Sequence, residues 1–78
     1  ETREKVREFL IRNFYVADPS VLTDDASLLD LGVIDSTGVL EVIGFLEDEF
    51  KISVEDAEMT ADNLDSIARI VGFVGRKV

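Results

Sequence analysis

Apolar residues recur along the chain in blocks, and the spacing within each block differs. Val6, Phe9, Leu10 and Phe14 lie three or four residues apart, which predicts an amphipathic helix over residues 2–14. Between Tyr15 and Asp35 the period is lost. Asp18-Pro19 and Thr23-Asp24-Asp25 carry turn chemistry there, and Leu28, Leu29 and Leu31 are expected to pin the connection to a core. Gly32 suits the left-handed end of a short helical turn. A connection of about twenty residues is long for a compact domain, and such loops are commonly functional.

Periodicity resumes at Ser36. Val39, Val42, Ile43, Leu46 and Phe50 fall at i, i+3, i+4, i+7 and i+11, a continuous stripe that predicts a helix from Ser36 to Phe50. Ser53 to Met59 reads as a short helix started by Ser53 and the acids that follow it. Asp62 or Asn63 is then expected to cap a last helix with Leu64, Ile67, Ala68, Val71 and Val74 on one face. No stretch alternates as a strand does. The expected fold is all-α, a small bundle of three main helices plus a short extra one, with a long loop between the first and second helices. Leu46 and Val71 are expected to meet the first helix near Leu10.

Composition narrows the class. The 78 residues make one domain, 1–78, and without cysteine or histidine the fold is held by packing, with no disulfide and no thiolate metal site. Hydrophobic residues at 46% against 32% charged fit a globular chain. No apolar run approaches the roughly 18–20 residues that cross a bilayer. With no signal peptide evident, although the chain starts at Glu1 rather than methionine, a cytoplasmic monomer is expected.

The formal charge of −9 is unevenly spread. Arg3, Lys5, Arg7 and Arg12 fall in the first helix, and Arg69, Arg76 and Lys77 near the end. Of the 17 acidic residues, only Glu1, Glu4 and Glu8 precede residue 13; the other 14 face a single basic residue, Lys51, between residues 13 and 68. Such a surface repels nucleic acid and anionic membrane and steers a basic protein partner toward it. Asp24, Asp25 and Asp30 lack the ordered ligands and glycine of a calcium loop, so they are expected to be solvated acids and no metal is expected.

The stretch GVIDSTGV, residues 32–39, sets Ser36 behind Asp35 at the mouth of the second helix. Either residue can cap a helix, but Val39 occupies the place of the Glu or Gln that would complete a capping box. A serine nucleophile needs a nearby base and oxyanion donors. With no histidine in the chain and the lysines in other segments, a triad hydrolase is excluded. A structural serine at the helix start stays open; a third reading makes Ser36 the substrate of another enzyme, because a helix N-terminus favours an attached phosphate. Gly38 is expected to leave the approach to the hydroxyl open, and weakens the first turn by roughly 1 kcal/mol relative to alanine.

Residues 28–54, LLDLGVIDSTGVLEVIGFLEDEFKISV, resemble the central segment of acyl carrier proteins. Leu31-Gly32, Asp35-Ser36, Glu41 and the acidic run Glu47-Asp48-Glu49 before Phe50 match that family's pattern in order and spacing, and the other helices and the long loop extend the likeness over nearly the whole chain. The resemblance implies that Ser36, with Asp35 beside it, carries a 4′-phosphopantetheine arm installed from coenzyme A by a phosphopantetheinyl transferase. The protein would be a carrier rather than an enzyme, holding acyl or aminoacyl intermediates of fatty acid or polyketide biosynthesis as thioesters. A loading ligase or acyltransferase and downstream enzymes with basic patches would dock on the second helix. Its outer side would present Thr37, Glu41, Gly44 and Asp48, flanked by Leu40 and Glu47.

Two positions depart from the family pattern. Thr37 stands where a leucine usually follows the modified serine, and Gly44 where a bulkier apolar residue is common. The less apolar surface resembles stand-alone carriers of specialised pathways, and favours a small or aminoacyl cargo held outside the core. The alternative from charge alone is a non-catalytic acidic helical module binding a basic protein, with Ser36 unmodified or phosphorylated.

Overall fold

The computed structural model describes residues 2–78. Its helices are α1 (Thr2–Asn13), α2 (Ser36–Phe50), the single turn α3 (Ala61–Leu64) and α4 (Ile67–Lys77), with no strand among the described residues. Two 3₁₀ turns, Pro19–Val21 and Asp56–Glu58, lie in the connections. The expected all-α bundle of three main helices and a long first loop is the fold observed.

Helices α1 and α2 run antiparallel, tied at three levels. Lys5 Nζ meets Glu49 Oε2 at 3.1 Å near one end. The rings of Phe9 and Phe45 stack at 4.1 Å in the middle. At the far end the Phe14 ring reaches Gly38, where a Cβ would stand only 3.0 Å from Phe14 Cε1 and 3.3 Å from Ile34 Cβ. Beneath these contacts, Val6 and Leu10 of α1, Val42, Ile43 and Leu46 of α2, and Ile67, Ile70, Phe73 and Val74 of α4 form one buried core. Burial of this kind contributes about 25 cal/mol per Å² of apolar surface and is the main favourable contribution to folding.

The long loop is fastened from both sides. The Arg7 guanidinium donates to the carbonyl oxygens of Leu22 and Pro19, and Arg3 Nε to the Asp24 carboxylate at 2.7 Å. The Ala68 N–H at the start of α4 donates to the Asp24 carbonyl at 2.9 Å. Asp24 is therefore an ion-pair and backbone anchor rather than a free loop acid. Leu22, Leu28, Val33 and Ile34 are buried, whereas Leu29 and Leu31, expected to pin the loop, remain over 40% exposed. The backbone turns over at Gly32, whose φ of +72° is the left-handed conformation expected of it.

The second half departs from the expected boundaries. Ser53 starts no helix. Residues 51–54 are irregular, because Val54 is drawn into the core and its N–H donates to Glu47 Oε2 at 2.9 Å. Only the turn Asp56–Glu58 forms, and it opens at Glu55, whose N–H donates to Glu58 Oε1 at 3.0 Å. Nor do Asp62 or Asn63 cap the last helix. They lie inside α3, whose N-cap is Thr60, and α4 has its own cap in Ser66, whose Oγ accepts from the Arg69 N–H at 3.1 Å.

The break falls at Asp65. Its carbonyl accepts from the Leu28 N–H at 2.7 Å, and its carboxylate accepts from Ser27 Oγ at 2.6 Å and the Leu29 N–H at 3.0 Å. With that carbonyl given to the loop, α4 restarts on another face. Ile70 and Phe73 join the core in place of Ala68, which is exposed, and Val71 is only half-buried.

Leu46 has no exposed surface, and truncating it to alanine is expected to destabilise the fold by about 2–5 kcal/mol in urea unfolding. An unchanged midpoint would remove it from the core. Glu47 and Asp48 separate more finely. Glu47→Ala leaves the part-buried Val54 N–H without its acceptor and is expected to cost about 1–3 kcal/mol. Asp48→Ala, on the solvent side, should stay within about 0.5 kcal/mol. Equal losses from the two would show that the Glu47 bond does not stabilise the fold.

Candidate attachment site and docking face

Ser36 occupies the first position of α2, exposed, with Asp35 at the N-cap. The Asp35 side chain accepts from the Gly38 N–H at 2.7 Å, and its carbonyl accepts from the Val39 N–H at 2.9 Å. Capping is thus the work of Asp35, and the Ser36 hydroxyl is left for other chemistry. In helix geometry the first-turn N–H groups of Ser36 and Thr37 have no carbonyl of the same helix to bond. Together with the helix dipole they make the hydroxyl a favourable seat for a phosphodiester.

Gly38 behaves otherwise than expected. It is buried, turned toward Phe14 and Ile34, and so does not open the approach to Ser36. A Cβ here would crowd the Phe14 ring and Ile34, which would have to give way by a few tenths of an ångström. The approach is open because Ser36 itself points outward.

Beside Ser36 lies an apolar cavity of about 380 Å³. Ile34, Val39 and Leu40 form one side, and Met59, Ala61 and Leu64 the other. That volume is at the lower end of the range of about 300–1,000 Å³ for small-molecule sites. Asp65 also contributes to the lining, with both carboxylate oxygens already bonded to Ser27 and Leu29. Sequence reasoning missed this cavity. Met59, Ala61 and Leu64 are separated from α2 by a loop of irregular backbone, and no periodicity links the two walls.

The outer face of α2 is assembled as expected for most of its members. Thr37, Leu40, Glu41, Gly44 and Asp48 are exposed, Leu40 to 60%, and a Cβ at Gly44 would meet nothing within 4 Å. Among the described residues Glu41 and Asp48 have no ion-pair partner, so their charges face solvent. Glu47 differs, being half-buried with its carboxylate committed to Val54. Among the described residues no cluster of acidic side chains could hold a metal ion, and no helix is long and apolar enough to cross a membrane.

Comparison with known proteins agrees with this geometry. Residues 4–74 match the family described as the phosphopantetheine attachment site. The acyl carrier protein of Campylobacter hominis is 35% identical over 74 residues, covering 95% of this chain and 90% of the relative. That of Akkermansia muciniphila is 34% identical over 71 residues, covering 91% and 85%. A D-alanyl carrier protein of Streptococcus pyogenes serotype M1 is 36% identical over 62 residues, covering 80% and 77%. An exposed serine on a capped helix, an acidic face beside it and a family match over nearly the whole length have one reading in common: the chain belongs to the acyl carrier protein family, non-catalytic carriers that bear 4′-phosphopantetheine.

Proposed function

We propose that Ser36 is the attachment residue and that the protein carries an apolar acyl chain, which rests in the cavity between α2 and α3. The carrying observation is the juxtaposition of an exposed, uncommitted hydroxyl with an apolar cavity whose lining includes the same serine. Ser36 Oγ acts as nucleophile on coenzyme A. A new Oγ–P bond replaces the bond to the departing 3′,5′-ADP, and the hydroxyl proton passes to the transferase. Asp35 holds the turn, and the Ser36 and Thr37 N–H groups would be the donors available to the phosphate. When bound, the arm supplies the thiol that the cysteine-free chain lacks.

The cavity favours an acyl over an aminoacyl cargo. An ammonium group entering it would meet apolar walls, and its one carboxylate, Asp65, is already hydrogen-bonded twice. A cargo lodged beside Ser36 also differs from the small, external one that Thr37 and Gly44 favour. The partners we propose are a phosphopantetheinyl transferase, a loading ligase or acyltransferase, and downstream enzymes with basic patches. They would contact Thr37, Leu40, Glu41, Gly44 and Asp48, with Glu47 at the edge acting mainly through the loop that it holds.

Intact mass tests the attachment. Incubated with coenzyme A and a broad-specificity transferase, the wild-type protein should gain one phosphopantetheine, and Ser36→Ala none while keeping its helical circular dichroism. An arm gained by the alanine variant would move the site elsewhere. The docking face is tested by reversing Glu41 and Asp48 to lysine, exposed charges worth only about 0–1 kcal/mol to stability. Loading should slow and lose its salt dependence while the melting temperature changes little. Unchanged loading kinetics across a salt series would reduce this face to solvated charge.

A further inference from the structure

The wall of the cavity opposite α2 has little structure of its own. Between Lys51 and Ser66 only a 3₁₀ turn and the one-turn α3 form. Among the described residues α3 packs closely on α4 and makes no comparable backbone approach to α2 across the cavity. Besides the buried Leu64, the Asp65 bonds to the first loop and the Glu47 bond to Val54, its position depends on what α4 holds.

Each of the three cations of α4 bonds to this segment. Arg69 Nη1 donates to the Ala61 carbonyl at 3.2 Å and lies 3.7 Å from the Asp62 carboxylate. Arg76 Nη2 donates to Asn63 Oδ1 at 2.9 Å, and Asn63 Nδ2 in turn donates to the Glu58 carbonyl at 2.9 Å. Lys77 Nζ donates to Glu58 Oε1 at 2.9 Å. That carboxylate oxygen also accepts from the Glu55 N–H, which, ahead of Lys77, holds the Glu58 carboxyl below its ordinary 4.5.

The register of these bonds matches the wall. Ala61 is itself a wall residue, Glu58 precedes Met59, and Asn63 precedes Leu64. The Lys77–Glu58 pair is also the most sheltered ion pair described. Its partners are 24% and 28% exposed, against 48%, 52% and 52% for the cations of the other three. A pair so placed is screened less by water and salt than an ordinary surface pair.

We propose that Arg69, Arg76 and Lys77 form a clasp that sets how far the Met59–Leu64 wall stands from α2, and so which acyl chain lengths the cavity retains. They are positioning residues: none lines the cavity, and each acts through a wall residue or its neighbour. The proposal rests on the reading of the cavity as an acyl site.

The test uses the full chain loaded at Ser36 with acetyl, butyryl, hexanoyl, octanoyl or decanoyl phosphopantetheine from the matching acyl coenzyme A. The readout is the change in melting temperature relative to the unacylated arm, because a chain bound only by the folded state raises it. In the wild type this increment should rise with chain length and then fall once the chain outgrows the cavity. In R76Q/K77Q the maximum should move to longer chains, and in Lys77→Arg it should stay where it was. About 1 M salt, where the screening length is about 3 Å, should move the wild-type maximum partway toward that of the double variant. Should the double variant lower all melting temperatures equally and leave the maximum in place, the cations are merely structural and the clasp is overturned. A wild type with no dependence on chain length would instead overturn the acyl-site reading, and the clasp with it.

Discussion

Asp65 is the residue on which the arrangement of the second half depends. Its carbonyl and both carboxylate oxygens are given to Leu28, Ser27 and Leu29, so one residue between α3 and α4 fastens the end of the long loop. Three consequences follow from that one commitment. The helical register breaks, Ser66 becomes a new cap, and Leu28 is seated in the core while its neighbour Leu29 is left facing the cavity. Hydrogen bonds to a charged group are stronger than neutral ones and costly to break once partly buried. The loop is thus fixed in place although it has almost no regular structure.

The same economy runs through the charged residues. Arg3, Lys5 and Arg7 of α1 and the three cations of α4 bond to the fold's own backbone and side chains. Arg7 and Arg3 hold the first loop, and the α4 cations hold the segment before α4. The acids of the outer face of α2, Glu41 and Asp48, are left without a partner. Within a net charge of −9, these two uncompensated acids on the helix that presents Ser36 favour the approach of a basic partner.

What could be read in advance was what is local. The spacing of Val6, Leu10, Val42 and Leu46 is a property of neighbouring residues on one helix, and both α1 and α2 were legible from it, as were the exposed Ser36 and the left-handed turn at Gly32. What could not be read depends on contacts distant in sequence. Leu29 and Leu31 look as buried as Leu28 until the bonds from Asp65 decide among them. Ile70 and Phe73 displace Ala68 from the core only because α4 restarts at Ser66. Glu47 reads as one more surface acid, and the Val54 N–H that occupies it lies beyond the end of its helix. The cavity has walls from two segments that no repeat connects, so only the fold reveals it.

The two glycines of α2 are opposite in kind. Gly44 stands in open space, where an added methyl group touches nothing and would favour the fold chiefly by reducing the freedom of the unfolded chain. Gly38 is a point of contact, where the same methyl group would stand 3.0 Å from the ring of Phe14, which would have to shift. Replacing the glycines of α2 to raise thermal stability therefore has one open position and one crowded one. The open position lies on the face offered to other proteins, so there sturdiness and the contour met by a partner enzyme are altered by the same methyl group.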